Sequence, residues 1–99
     1  MTTTLAPETT EVSLRRTGAD FLSEAARAAR IDRVRAREAR SMAAICEHRA
    51  RLVPGQAAMY LREARRLRRE AAALELDAAS HDEAVAAVWQ LIDVSPPTP

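Results

Sequence analysis

Apolar positions in the first half of the chain recur at a helical period: on a wheel turned about 100° per residue, Ile31, Val34, Met42, Ile45 and Leu52 share one side. Asp20 is placed to cap a helix there. Pro54 forbids its continuation and Gly55 permits a tight turn, so a first helix is expected over about residues 20–52. That length exceeds an ordinary globular helix and suggests a coiled-coil-like arm. A second period is cleaner: Ala57, Tyr60, Ala64, Leu67, Ala71, Leu74 and Ala78 alternate three and four apart, predicting a helix over about 56–78. A third element is read from "SHDE", where Ser80 and Glu83 form a capping box and Asp82 suits the first turn; Val85, Val88, Trp89 and Ile92 would line one face of a helix over 81–93.

Folded back over the Pro-Gly turn, the first two helices run antiparallel in this reading, with Leu52 near Ala57, Ile45 near Ala64 and Ile31 near Ala78. Glu38 then falls opposite Ala71, and a carboxylate on a seam needs a partner such as Arg35 or Arg68. Glu63, Glu70 and Asp77, seven apart, flank the seam and are expected to pair with Arg27, Arg35 or Arg49. The short third helix would fold over Phe21, Leu22, Ala25, Ala72 and Leu76, with Trp89 at the centre of that cluster. The expected class is therefore all-α: a long antiparallel helical hairpin with a short third helix packed at its open end. Residues 1–18 are read as a disordered tail, 19–94 as one three-helix domain and 95–99 as a Pro-rich tail.

Composition agrees with long helices: Ala, Leu and Arg dominate, and only Phe21, Tyr60 and Trp89 are aromatic. Arg occurs fifteen times and Lys never, a one-sided choice that fits a GC-rich bacterial genome and weakens a functional reading of any single Arg. The formal charge of +1 is unevenly spread: residues 25–79 carry thirteen Arg against seven acids, while both ends are acidic. No secretory leader opens the chain, and no apolar run approaches the roughly 20 residues of a membrane span, so a cytoplasmic protein is expected. The single Cys46 has no partner for an intramolecular disulfide and is expected to be an inert thiol beside the seam.

Candidate chemistry is confined to two surfaces. Arg30, Arg33, Arg37 and Arg40 cluster on the first helix, and Arg62, Arg65, Arg66 and Arg69 on the second, a pattern that would suit a phosphate backbone or only a solvated face. Met59, Leu61, Phe21 and Leu22 are hard to cover within a thin hairpin, which marks them as an interaction surface that pairing two hairpins would bury. Helix-turn-helix reading of DNA is disfavoured because the third helix is acidic and has no Arg. Three scattered aromatics give no stacking platform for single strands. Cys46 and His48 diverge on a helix, His81 belongs to a helix start, and two glycines cannot build a phosphate loop, so no metal site, cofactor, small-molecule substrate or catalytic centre is expected.

A chain of this size and helical character is similar in architecture to the small secreted WXG proteins of type VII export systems. The turn, however, reads "LVPGQ" where that family places Trp-x-Gly, and "WQLID" keeps Trp89 and Asp93 at the spacing of its tail motif without the Tyr. The chain is not assigned to it. The functional expectation is a non-enzymatic helical adaptor or regulator that acts through helix–helix contacts and self-associates, with a protein partner or a second copy as occupant. The alternative is an accessory protein that contacts nucleic-acid phosphates through its Arg faces.

Overall fold

The computed structural model describes residues 7–92, with side chains described over 16–91. They form two long helices, α1 (Pro7–Leu52) and α2 (Ala57–Ile92), joined by a short 3-10 turn (Pro54–Gln56). The expected boundaries move in two places. α1 begins at Pro7, so Asp20 lies inside it rather than capping it, and the stretch to residue 18 expected as a tail is largely helical. Gly18 costs about 1 kcal/mol inside a helix, which forty-odd flanking helical residues absorb without a break. The expectations for residues 1–6 and 95–99 lie outside the described residues.

Nor is there a third helix among the described residues: α2 runs without interruption through Ser80 to Ile92. A capping box needs a non-helical residue at its head. Here Ala78 and Ala79 precede Ser80 with strong helix propensity, and no Gly or Pro offers a turn. The seam period also continues through the site, since Leu74, Ala78, His81, Val85 and Val88 are all buried or half-buried at spacings of three and four. The expected terminal cluster is accordingly not formed: Trp89 is 56% exposed, Leu76 72%, and Ala72 is exposed as well.

At the turn, Val53 is pushed out of helical geometry (φ −125°, ψ 78°), as a residue before proline is. Its amide still donates to the Arg49 carbonyl (2.9 Å), and Gln56 N–H closes the turn on the Val53 carbonyl (3.0 Å). Gly55 is not required for this geometry. No described residue has a positive φ, and a Cβ at Gly55 would meet nothing.

The way the helices meet differs most from expectation. On α1 the inward positions are Ala25, Ala29, Asp32, Ala36, Ala39, Ala43, Cys46 and Ala50, an unbroken alternation of four and three; the alanines are buried and the other two half-buried. The α2 seam is the one its sequence predicts, from Tyr60 through Ala64, Leu67, Ala71 and Leu74 to Ala78. Counting outward from the turn, large side chains on α2 meet alanines on α1: Tyr60 falls level with Ala50, Leu67 with Ala43, and Leu74 with Ala36. Alanine on one side lets the two axes approach closely, and its burial costs no side-chain entropy. The expected α1 seam is rotated out: Ile31, Val34, Met42, Ile45 and Leu52 are all exposed.

Ion pairs fix the direction and the register. Arg33 pairs with Asp82, Arg40 with Glu75 (2.6 Å) and Glu47 with Arg68 (2.5 Å). Each step of seven up α1 is a step of seven down α2, so the helices run in opposite directions. Glu38, the anomaly of the expected register, is exposed and no longer faces the seam. The pairs expected for Glu63, Glu70 and Asp77 across the hairpin are not made; Glu63 and Glu70 instead hold Arg66 of their own helix.

Candidate functional site

The two candidate surfaces can now be placed on the hairpin. The three arginine–carboxylate pairs between the helices sit immediately beside the seam on one side, and those contacts hold part of the arginine set. Arg33 and Arg40 are bound across the hairpin, and Arg66 reaches Glu63 (2.5 Å) and Glu70 (3.3 Å) at helical spacings of three and four. The hydrogen bond from Arg68 pulls the Glu47 carboxyl below its ordinary value; those from Arg40 and Arg66 do the same for Glu75 and Glu63. The partner guanidinium of Arg66 is pushed up, first by its hydrogen bond to Glu63. All these groups are solvated, so the pairs select a register more than they add stability.

Arg30, Arg37, Arg62, Arg65 and Arg69 have no ion pair among the described residues. The eight arginines do not form one surface. Those of α1 flank the seam on the side of the ion pairs, whereas Arg66 lies on the opposite side with Glu63 and Glu70. Near the turn, Arg62, Arg65 and Arg69 join Arg49 and the Arg66–Glu63 pair around an open groove of about 760 Å³ that also touches Met59, Tyr60 and Cys46. Arg49 was not among the residues expected there. Cys46 is half-buried in the seam, and His81 is half-buried 3.6 Å from the Asp32 carboxylate, an ion pair when the imidazole is protonated. Among the described residues no three metal-ligating side chains converge.

The apolar surface is larger than expected and differently composed. Met59 and Leu61 are exposed beside the turn and Phe21 is exposed toward the open end, as read from the sequence, while Leu22 is half-buried. The main feature is the outward side of α1. Ile31 is 43% exposed, Met42 53%, Ile45 50% and Leu52 66%, with Val34 beside them. These residues were legible as a helical stripe, but the sequence suggests the wrong surface for them. The clue that assigns them outward is the alanine-rich seam period one position later: Ile31 precedes Asp32, Met42 precedes Ala43 and Ile45 precedes Cys46, all seam positions.

Burial states the imbalance directly. Among the described residues, the buried ones are nine alanines and Leu67, whereas twelve large apolar side chains are exposed. A hairpin closed by methyl groups buries little apolar surface, at about 0.8 kcal/mol per buried carbon, and leaves its larger hydrophobic content facing water. No helix among the described residues is long and apolar enough to cross a membrane. No protein family, curated protein or solved structure matches the chain.

Proposed function

We propose that the protein is a non-enzymatic helical interaction module whose working surface is the outward stripe of α1. The observation that supports this reading is the inversion of the usual burial order: alanines close the hairpin, and Ile31, Met42, Ile45 and Leu52 are left in solvent along one face. A helix laid along that face would bury side chains spaced as a seam, by the same knobs-into-holes packing that joins α1 to α2. An adaptor or regulatory role is the reading that an outward apolar stripe of this kind supports.

A second reading rests on the arginine groove at the turn. Arg49, Arg62, Arg65 and Arg69, without ion pairs among the described residues, are donors suited to phosphate oxygens, so contact with a nucleic-acid backbone would begin there rather than along the full Arg faces.

One experiment separates the two. A photo-activatable diazirine residue is placed in turn at position 45 on the stripe, position 37 on the opposite face and position 65 in the groove. Irradiation in cells making the protein is expected to give protein adducts, to another protein or to a second copy, at position 45 and not at 37. No adduct at 45 would remove the stripe reading. Nucleic acid coupled at position 65 and lost with added salt would support the second reading instead.

A further inference from the structure

We propose that the α1 stripe is occupied by the same stripe of a second copy, running antiparallel about a two-fold axis that passes between Arg35 and Glu38. This rests on the helix-docking reading above and names its partner.

The positions that immediately precede the α1 seam run from Glu24 to Arg49 at alternating intervals of three and four, and the same spacing continues to Phe21 at one end and Leu52 at the other, the spacing of a second seam. One residue of offset turns it about 100° from the seam that holds α2. A helix with two seams at that angle occupies the corner of a four-helix bundle, so α1 is shaped to take α2 on one side and another helix on the next. Phe21, Ile31, Met42, Ile45 and Leu52 are its exposed large residues. Four charges interrupt it: Glu24, Arg35, Glu38 and Arg49. All four are exposed, and none has an ion pair among the described residues, although six other arginine and acid partners on the hairpin are paired with one another across it.

The order of these residues is complementary to itself in reverse. With the axis between Arg35 and Glu38, Ile31 faces Met42 of the partner copy, Ala28 faces Ile45 and Phe21 faces Leu52. Each charge meets its opposite: Arg35 faces Glu38, and Glu24 faces Arg49. No apolar position meets a charge anywhere along the roughly 47 Å from Phe21 to Leu52. Other registers fail. Parallel pairing in register sets Arg35 on Arg35 and Glu38 on Glu38. Sliding the antiparallel pair by one heptad in one direction puts Glu24 on Met42 and Arg35 on Ile31; in the other it puts Arg49 on Ile31 and Glu38 on Met42. Every contact is made twice, as a closed two-fold interface requires. The charged layers add little affinity at a solvated edge and serve to select this register.

The test uses two variants of the full chain, Arg35→Glu and Glu38→Arg. Each alone places like charges opposite one another at both symmetry-related contacts, and the dimer dissociation constant should rise about a hundredfold. Mixed in equal amounts, the two restore opposite charges at both contacts. Light scattering should give a dimer for the wild type, monomers for each variant alone and a dimer for the mixture, with native mass spectrometry identifying it as the heterodimer. If either variant loses helix when alone, mixing should restore the circular dichroism signal together with the mass. A monomeric wild type at about 100 µM, a single variant as dimeric as the wild type, or a mixture that stays monomeric would each overturn the proposal. Protein adducts to a different chain at position 45, with a monomeric wild type, would overturn the self-pairing alone and leave the helix-docking reading standing; absence of any adduct there would remove both.

Discussion

Ala43 and Ala44 are adjacent and chemically identical, yet Ala43 is fully buried against Leu67 and its neighbours while Ala44 is exposed. Their difference is a direct consequence of helix phase. Ala43→Leu would force three carbons into a fully buried seam position and should cost roughly 1–3 kcal/mol, because close-packed interiors yield little to added volume. Ala44→Leu should stay within about 0.5 kcal/mol, as surface changes do. Urea melts of the two variants read this, and equal effects would contradict the phase of α1. The same residues explain why α1 was misread from its sequence. Alanine is both the best helix former and the smallest seam residue, so its run at Ala36, Ala39, Ala43 and Ala50 reads as propensity alone, whereas Ile31 and Ile45 read as core. Volume carries the missing signal: α2 offers Tyr60, Leu67 and Leu74 to the seam, and two helices that both supplied large residues would not sit this close.

At the scale of the element, α2 was legible because large and small seam residues alternate in its sequence, and the Pro54 break was legible because proline before a polar turn leaves the chain few choices. The end of α2 was misplaced at "SHDE". A capping box is a local pattern, and a seam that continues through His81, Val85 and Val88 outweighs it. Were Ser80 an N-cap, Ser80→Ala would cost about 1 kcal/mol. Within a continuous helix the same change should leave stability unchanged or raise it by up to about 0.5 kcal/mol, since alanine is the better helix former. A thermal melt followed by circular dichroism distinguishes the two, and a clear loss would place a helix start at Ser80 after all. The start of α1 was hidden for a related reason: Gly18 and Asp20 carry boundary signals that their flanks overrule.

For the whole molecule, part of the arginine density that stands out in the sequence sets the hairpin register, through Arg33, Arg40 and Arg68, and part lines the groove at the turn. The apolar content divides as well, into a thin alanine seam inside and a broad stripe outside. The outward stripe exists only if α1 meets α2 through its alanines, and the native thiol sits where that can be tested. Counted from the turn, Cys46 falls level with Ala64, and both belong to the same packed cluster. Ala64→Cys should therefore form an intrachain disulfide with Cys46 under mild oxidation, seen as a two-dalton mass loss on an intact, unlinked chain, because facing positions of a close seam lie within disulfide reach. If Cys46 instead stayed reduced while a Cys46→Ser, Ile45→Cys, Ala64→Cys variant closed a bond between positions 45 and 64, the isoleucines would face the seam and the outward stripe would not exist.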